Sequence, residues 1–317
     1  MLTLARLSWR LQRFELVSVV IIVALLAAAA LVVREHLTAL NVPTSCFAGL
    51  LTPGPGSGCG AAAQDFFSID NSEAVPVLQA MTVAPLIAGI LLGVGLVGRE
   101  IETETASLAW SLDGSRRRWL AGRLLPMGGA LVALLTVLAI ASDLLVAARQ
   151  PWVDPGQTLV DLDAHGGLLV LRGAFAFLMA VLVGAVIGRT LPSVIVATAV
   201  VAVVIAAGLV LTSWWLRANV DYRAERVDAI NLPGGLNLGT MSRGPDGLVI
   251  PDEVALSLAP PGVDPGTWVA DHYENVYAFV PGRAYPQYVL VETAAVAVVL
   301  VLQAAILLAT VQRRRPV

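Results

Sequence analysis

The chain has 317 residues, of which 57% are hydrophobic and only 14% are charged, and its formal net charge is −3. A soluble domain averages about 25% charged residues, so this composition excludes an ordinary soluble protein. The chain contains no lysine, and this excludes both a nucleotide-binding P-loop of its own and Schiff-base chemistry.

Six apolar stretches are each long enough to cross a bilayer, which takes about 20 apolar residues per helix. Their approximate bounds are 16–33, 75–97, 124–148, 168–187, 193–215 and 288–311. The first stretch follows several arginines, as the core of a signal peptide does, but it is longer than such a core and a retained helix is favoured. The sequence therefore predicts an all-α polytopic membrane protein with six transmembrane helices.

The segments around the first helix predict two features. Residues 1–15 carry leucines and arginines on separate helical faces, which indicates an amphipathic helix at the cytoplasmic interface. The alternative is a basic flank that only orients the first crossing. The outer loop 34–74 contains the only two cysteines, Cys46 and Cys59, in a segment rich in Gly and Pro. An exported compartment permits a disulfide between them, and two free thiols are the alternative.

The connection 98–123, between the second and third helices, gathers charge of both signs. From Arg99 onward it reads REIETETASLAWSLDGSRRRWLAGR, with acidic residues at the beginning, where the helix dipole favours them. One helical face carries Ile101, Thr105, Leu108 and Leu112. The pattern predicts a short amphipathic helix, which would need a partner to bury its apolar face. The alternative is a loop that only sets the topology.

The remaining connections are an outer loop at 149–167, a tight turn between the fourth and fifth helices, and a long outer loop at 216–287. The long loop is acidic and rich in Pro and Gly, and we expect a partly ordered outer cap. Within the second helix, Gly89 and Gly93 are spaced to permit close packing against another helix, with packing inside one subunit favoured over a dimer contact.

Arginine placement predicts the orientation, because basic residues near short loops stay in the cytoplasm. Most arginines lie near the N-terminus, in the connection 98–123 and at the C-terminus, whereas the first two outer loops hold only Arg34 and Arg149. Both termini are therefore expected in the cytoplasm.

No residue pattern indicates catalysis or metal binding. The three histidines fall in predicted outer loops and lack the HExxH pairing of a zinc protease, and no serine-protease motif fits. The charged residues Asp143, Arg172 and Glu292 lie near outer helix ends, so no crossing has an ionisable residue at its centre. This weakens an ion-coupled carrier and an intramembrane enzyme, and weakly favours an apolar or amphipathic substrate.

Two segments resemble the permease subunits of type-2 (ABC-2) ATP-binding-cassette exporters, particularly the actinobacterial type. The first motif runs R-E-(I/L)-E-x-x-T-x-x-L-A-W-(S/T), then a basic run and R-W-L. It is met by Arg99, Glu100, Ile101, Glu102, Thr105, Leu108, Ala109, Trp110, Ser111, Arg118, Trp119 and Leu120, while Glu104 stands where the family often has Gly. The second, PGRAYPQYVLVETA, is similar to the opening of the last helix in relatives and is carried by Arg283, Tyr285, Gln287 and Glu292.

The resemblance implies an ABC-2 (type V exporter-like) topology with a coupling helix that docks on a separate P-loop ATPase. Its coupling residues would be Glu100, Glu102, Thr105, Leu108, Trp110, Arg116, Arg117 and Arg118. An outer gate would be formed by Arg283, Tyr285, Gln287 and Glu292. It also implies pairing with a second permease chain, identical or not, and ATP and Mg bound by the partner ATPase rather than by this chain.

The sequence thus predicts the permease subunit of an ABC-2 exporter in the bacterial plasma membrane, with no enzymatic activity of its own and no nucleic-acid partner. Its expected substrate is hydrophobic or amphipathic, such as a drug, antibiotic, peptide or lipid. The alternatives are an ion-coupled secondary carrier or a non-transporting membrane sensor, and an intramembrane enzyme is disfavoured.

Overall fold

The computed structural model describes residues 12–43, 46, 59–103, 105, 115–151, 153–164, 166–223 and 234–313. Within them, six helical segments are long and apolar enough to cross a membrane. The predicted polytopic helical fold with six transmembrane helices is therefore confirmed, and a small β-sheet is present in addition. The amphipathic helix expected over 1–15 lies outside the described residues as far as residue 11.

The described helices extend beyond the apolar stretches that predicted them. In chain order they are α1 (Arg13–Ala39), α2 (Gly60–Ile69), α3 (Val75–Glu102), α4 (Arg116–Arg149), α5 (Gly167–Ile187), α6 (Thr190–Ala218), α7 (Asp252–Ser257), α8 (Pro265–His272) and α9 (Tyr285–Arg313). The second crossing begins at Gly60 rather than near residue 75, because α2 continues through a wide π-helical turn, Asp70–Ala74, into α3. Part of the predicted outer loop 34–74 is therefore helical.

Successive spanning segments run in alternating directions. We call the two ends of the resulting bundle the termini end and the sheet end. The termini end carries Arg13, Arg313 and the connection between α3 and α4. The sheet end carries Ala39, Tyr285 and a small β-sheet.

Helices α3 and α5 pack in backbone contact at the middle of the bundle. A Cβ on Gly89 would lie 2.6 Å from the carbonyl oxygen of Gly173, and one on Gly93 would lie 2.5 Å from that of Phe177. Because no side chain fits at these distances, the glycines are what lets the two helices approach. The expected packing of Gly89 and Gly93 within one subunit is confirmed.

The segment predicted as the long outer loop, 216–287, contains an antiparallel sheet that the sequence analysis did not predict. Its strands are β1 (Asp221–Arg223), β2 (Leu236–Arg243), β3 (Val249–Pro251) and β4 (Glu274–Val280), in the order β1-β4-β2-β3. Strand β4 buries Val276, Ala278, Phe279 and Val280.

Aspartate side chains fix the beginnings of the two short helices of this region. Asp252, at the start of α7, accepts hydrogen bonds from the hydroxyls of Thr240 and Ser242 on β2. Asp264 caps α8 by accepting from Thr267, and these hydrogen bonds lower the pKa of Asp264. The expected cap is therefore a folded α/β element over the described residues from 234 onward.

A disulfide joins Cys46 and Cys59, whose Cα atoms are 5.6 Å apart. Cys59 immediately precedes α2, so the bridge closes the chain between α1 and the second crossing at the sheet end.

Candidate functional site

The predicted coupling segment lies at the termini end and is described only at its two flanks. Glu100, Glu102, Thr105 and the arginines 116–118 are described, whereas Leu108 and Trp110 lie outside the described residues. Helix α3 ends at Glu102, and the hydroxyl of Thr103 donates to the carbonyl oxygen of Arg99 at this end. The hydroxyl of Thr105 in turn donates to the carbonyl oxygen of Glu100.

Glu100 is paired inside the protein. Its Oε1 accepts from Arg123 Nε at 2.7 Å and lies 2.6 Å from Arg123 Nη2, and the two side chains are only 12% and 8% exposed. The Arg123 guanidinium also lies over the ring of the buried Trp119, 4.8 Å from its centroid. The carboxylate that the resemblance assigns to ATPase contact thus joins α3 to α4 in the structure.

Glu102 joins α3 to the beginning of α6. Its Oε2 accepts from the backbone N–H of Thr190 at 2.9 Å and from the Thr190 hydroxyl at 2.6 Å. Thr190 opens α6 directly after the short turn that follows α5. The carboxylate is exposed, so it remains accessible from the termini end while it caps α6.

The arginines that open α4 face the end of the last helix. Arg116 Nη1 donates to the carbonyl oxygens of Val311 at 3.3 Å and Gln312 at 2.8 Å. With the Gln312 amide turned so that its oxygen accepts, Arg117 Nη2 donates to it at 3.1 Å. Arg117 and Arg118 are both exposed. Basic side chains thus cap the C-terminal end of α9, where the helix dipole is negative.

The predicted gate residues at the sheet end occupy different environments. Glu292 Oε1 accepts from Arg172 Nε at 2.8 Å, and the same guanidinium pairs with Asp163 at 2.7 Å. Tyr285 is buried beside Gly166. Gln287 is exposed.

Arg283, the fourth predicted gate residue, is 81% exposed and lies 3.5 Å from Asp221. The structure therefore joins Glu292 and Tyr285 to the helical bundle, and leaves Arg283 and Gln287 on the surface.

A second buried arginine at this end was not singled out as a site residue. Arg149, 9% exposed, ends α4 and is paired with Asp70 of the π-helical turn and with Asp161. The loop between α4 and α5 is thus held at Asp161 by Arg149 and at Asp163 by Arg172. The signal in the sequence was an arginine at the end of an apolar helix, followed by a short loop that contains Asp154, Asp161 and Asp163.

Tyr288 is the other residue that sequence reasoning missed. It is buried, its hydroxyl lies 3.0 Å from the Thr212 hydroxyl, and its ring packs edge-on against Trp215 at 5.2 Å. These contacts join α9 to the end of α6. Within the described part of the chain, no group of three or more His, Cys, Asp or Glu side chains could hold a metal ion.

These features define a multi-pass α-helical membrane protein whose helices are joined by buried ion pairs at both ends of the bundle. A family model described as ABC-2 membrane transporter related matches residues 16–217, and the chain belongs to this family. No curated protein and no solved structure shows significant similarity to the chain. Membership supports a permease role, and permeases of this family generally partner with an ATPase subunit.

Proposed function

We propose that the chain is the membrane-spanning permease subunit of an ABC-2 exporter driven by a separate P-loop ATPase. The partner would bind ATP and Mg, and the termini end would face the cytoplasm of the bacterial cell. The transported molecule would be hydrophobic or amphipathic, because the described ionisable residues of the crossings lie at helix ends and the interior of the bundle is apolar.

One observation carries the proposal: both flanks of the segment 103–115 are bonded to helices other than their own. Glu102 at its beginning caps α6, and Arg116 at its end caps α9. Glu100, one turn before the segment, is paired with Arg123 of α4. An ATPase that moved this segment would therefore displace α4, α6 and α9 together. That is the arrangement a coupling element requires.

Residue roles follow from exposure. Glu102, Thr105, Arg117 and Arg118 would contact the ATPase, together with the apolar side chains of Leu108 and Trp110. Glu100 is a positioning residue, because its carboxylate is buried against Arg123.

A second permease chain would complete the transporter. Only 11% of the residues in the most apolar part of α6 are buried within the chain, and only 17% in α9. These faces are available to lipid or to a second copy, and the pathway would lie between two chains.

The test is purification of the tagged protein from its native membranes in mild detergent, followed by identification and assay of the proteins that accompany it. We expect a P-loop ATPase in a 1:1 ratio with the permease, and hydrolysis of ATP by the purified complex. Trp110→Asp should reduce the bound ATPase about tenfold or more. Glu102→Ala should keep the ATPase bound but change its hydrolysis rate, because the link to α6 is lost.

Glu274→Gln is the matched control, since Glu274 is an exposed carboxylate on β4 at the opposite end. It should change neither binding nor hydrolysis. Purification without any ATPase, even after cross-linking in intact membranes, would contradict the proposal and favour the carrier or sensor. Equal effects of Trp110→Asp and Glu274→Gln would contradict the location of the coupling site.

A further inference from the structure

A cavity of about 440 Å³ lies at the sheet end between α1, α2 and α4. One wall is apolar and includes Leu37, Phe66 and Leu144, and the other side carries Arg34, Thr38 and Asn41. Its volume falls in the range of small-molecule sites, about 300–1,000 Å³. The cavity takes no part in the coupling contacts or in the ion pairs described above.

Arg34 differs from the two buried arginines at this end, Arg149 and Arg172, in having no carboxylate partner among the described residues. Arg149 and Arg172 each pair with two carboxylates, whereas no ion pair involves Arg34 within the part of the chain that the structure describes. None of the residues that line the cavity is acidic. The neighbouring stretch 44–58 contains no Asp or Glu either, so it cannot neutralise Arg34.

The position of Arg34 matches the depth of lipid headgroups. It lies in the last two turns of α1, a helix of 27 residues that extends about 40 Å at 1.5 Å per residue. A helix of this length spans the hydrocarbon core and reaches the headgroup layer at its ends. An arginine at this depth meets phosphate groups, which its planar guanidinium binds through paired hydrogen bonds.

The apolar wall suits an aliphatic chain. Leu37 and Phe66 are buried, whereas Leu144 is 40% exposed, so part of the apolar lining is accessible from the surface of α4. Thr38 lies one turn after Arg34 on α1, Asn41 lies just beyond the end of this helix, and both line the cavity together with Arg34. A ligand with an anionic head and an apolar tail would therefore satisfy both sides of the cavity.

We propose that this cavity binds one anionic phospholipid, with its phosphate on Arg34 and part of an acyl chain against Leu37, Phe66 and Leu144. The site is separate from the coupling segment and from the pathway proposed between two chains, and it does not depend on the exporter assignment.

The experiment is a titration of the purified full-length protein with palmitoyl-oleoyl phosphatidylglycerol, in which native mass spectrometry counts the bound lipids. We expect one lipid to bind more tightly than the rest, and Arg34→Gln to weaken that site about tenfold or more. Arg217→Gln is the matched control, because Arg217 is an exposed arginine in the last turn of α6 at the same end but outside the cavity. It should leave the site unchanged.

A second variant keeps Arg34 and fills the cavity. Leu144→Trp should abolish the tight site, while the melting temperature and gel-filtration profile of the protein stay close to wild type. Equal lipid binding by Arg34→Gln, Arg217→Gln and wild type would overturn the proposal. Displacement of the lipid by millimolar inorganic phosphate would also overturn it, because the site would then bind a soluble anion. Equally tight binding of phosphatidylcholine and phosphatidylglycerol would exclude recognition of a net anionic headgroup.

Discussion

Glu100 and Arg123 form an ion pair that is almost entirely removed from solvent at the termini end of the bundle. The planar ring of Trp119 covers one face of the guanidinium, which limits its alternative positions. Loss of one member of such a pair costs far more than loss of a surface charge, because the remaining charge stays buried without compensation. The pair therefore holds α3 and α4 together beside the predicted coupling segment.

Substitution of Arg123 tests this pair. Arg123→Ala should lower the free energy of unfolding by about 3–5 kcal/mol, since Glu100 would remain buried and charged. The measurement is the melting temperature of the purified protein in detergent. Arg118→Ala, an exposed neighbour on the same helix, should change the free energy by less than about 0.5 kcal/mol. A similar small effect for both variants would contradict a structural role for the pair.

Arg172 has the corresponding role at the sheet end, where it bonds to Glu292 of α9 and to Asp163. Arg172→Met leaves two partly buried carboxylates without their cation, and should destabilise the protein by about 3 kcal/mol. The double variant Arg172→Met with Glu292→Gln should recover part of that loss, because it removes one uncompensated charge. Thermal melting of wild type, the two single variants and the double variant measures the interaction free energy between the side chains of Arg172 and Glu292. Strictly additive effects would show that the two side chains do not interact.

At the scale of elements, the contact of α3 with α5 determines the centre of the bundle. Glycines at 89 and 93 bring the backbones of the two helices into contact, and Gly184 packs beside Gly98 closer to the termini end. In a bilayer the hydrophobic effect does not drive helices together, so van der Waals contact over such small residues carries the association.

Gly93→Ala should therefore disrupt the packing of α3 against α5. The added methyl would meet the Phe177 carbonyl oxygen and the Ala180 side chain, and we expect a loss of about 1–3 kcal/mol. Gly129→Ala on α4 is the control, because a Cβ there has open space, and it should be neutral or slightly stabilising. Chemical unfolding in mixed micelles measures the free energy of unfolding of both variants for comparison with wild type. A neutral Gly93→Ala would contradict the close approach.

The loop between α4 and α5 connects the bundle to the sheet. Arg149 pairs with Asp161 and Arg172 pairs with Asp163 of this loop, and the hydroxyl of Ser142 donates to the carbonyl oxygen of Ala164. The backbone N–H of Leu159 donates to the carbonyl oxygen of Gly234, at the beginning of the described cap. A movement of α4 or α9 at this end would therefore be transmitted to the cap through this loop.

For the whole molecule, the alternation of the spanning segments places the beginning of α1 and the end of α9 on the same side, opposite the sheet and the disulfide. The arginine distribution predicts that this side is the cytoplasm. The disulfide at the sheet end is consistent with an oxidising compartment there.

Cysteine labelling tests this orientation in whole cells. In a chain whose native cysteines are replaced by serine, a cysteine at the position of Glu274 should react with a membrane-impermeant maleimide without permeabilisation. A cysteine at the position of Arg118 should react only after the cells are permeabilised. Both side chains are exposed, so access to the aqueous compartment decides the result. The reverse pattern would show the opposite orientation.

The six crossings could be predicted from the sequence because each apolar stretch must satisfy its backbone hydrogen bonds inside a helix. The resemblance to ABC-2 permeases also rests on local residues, in the segment that begins at Arg99. The sheet could not be predicted in the same way. Strand β2 contains Gly239 at a φ of +110° and a register shift beside it, which interrupt the alternation that marks a strand.

In the candidate site too, the sequence identified some residues, whereas only the structure revealed their partners. Glu100 and Glu102 were identified from the motif, but their neighbours Arg123 and Thr190 were not, since these partners lie on other helices. Tyr288 was missed for a similar reason, because its partners Thr212 and Trp215 are on α6.

The sequence by itself determined the membrane class, the number of crossings and the family, because these depend on local hydropathy and on short motifs. Only the tertiary structure decided which charges are buried and paired, where α3 and α5 come into contact, and which arginine lines a cavity without a carboxylate. These properties depend on side chains that are distant in the chain and adjacent in space. The free energy of a buried charge is set by those neighbours rather than by its position in the sequence.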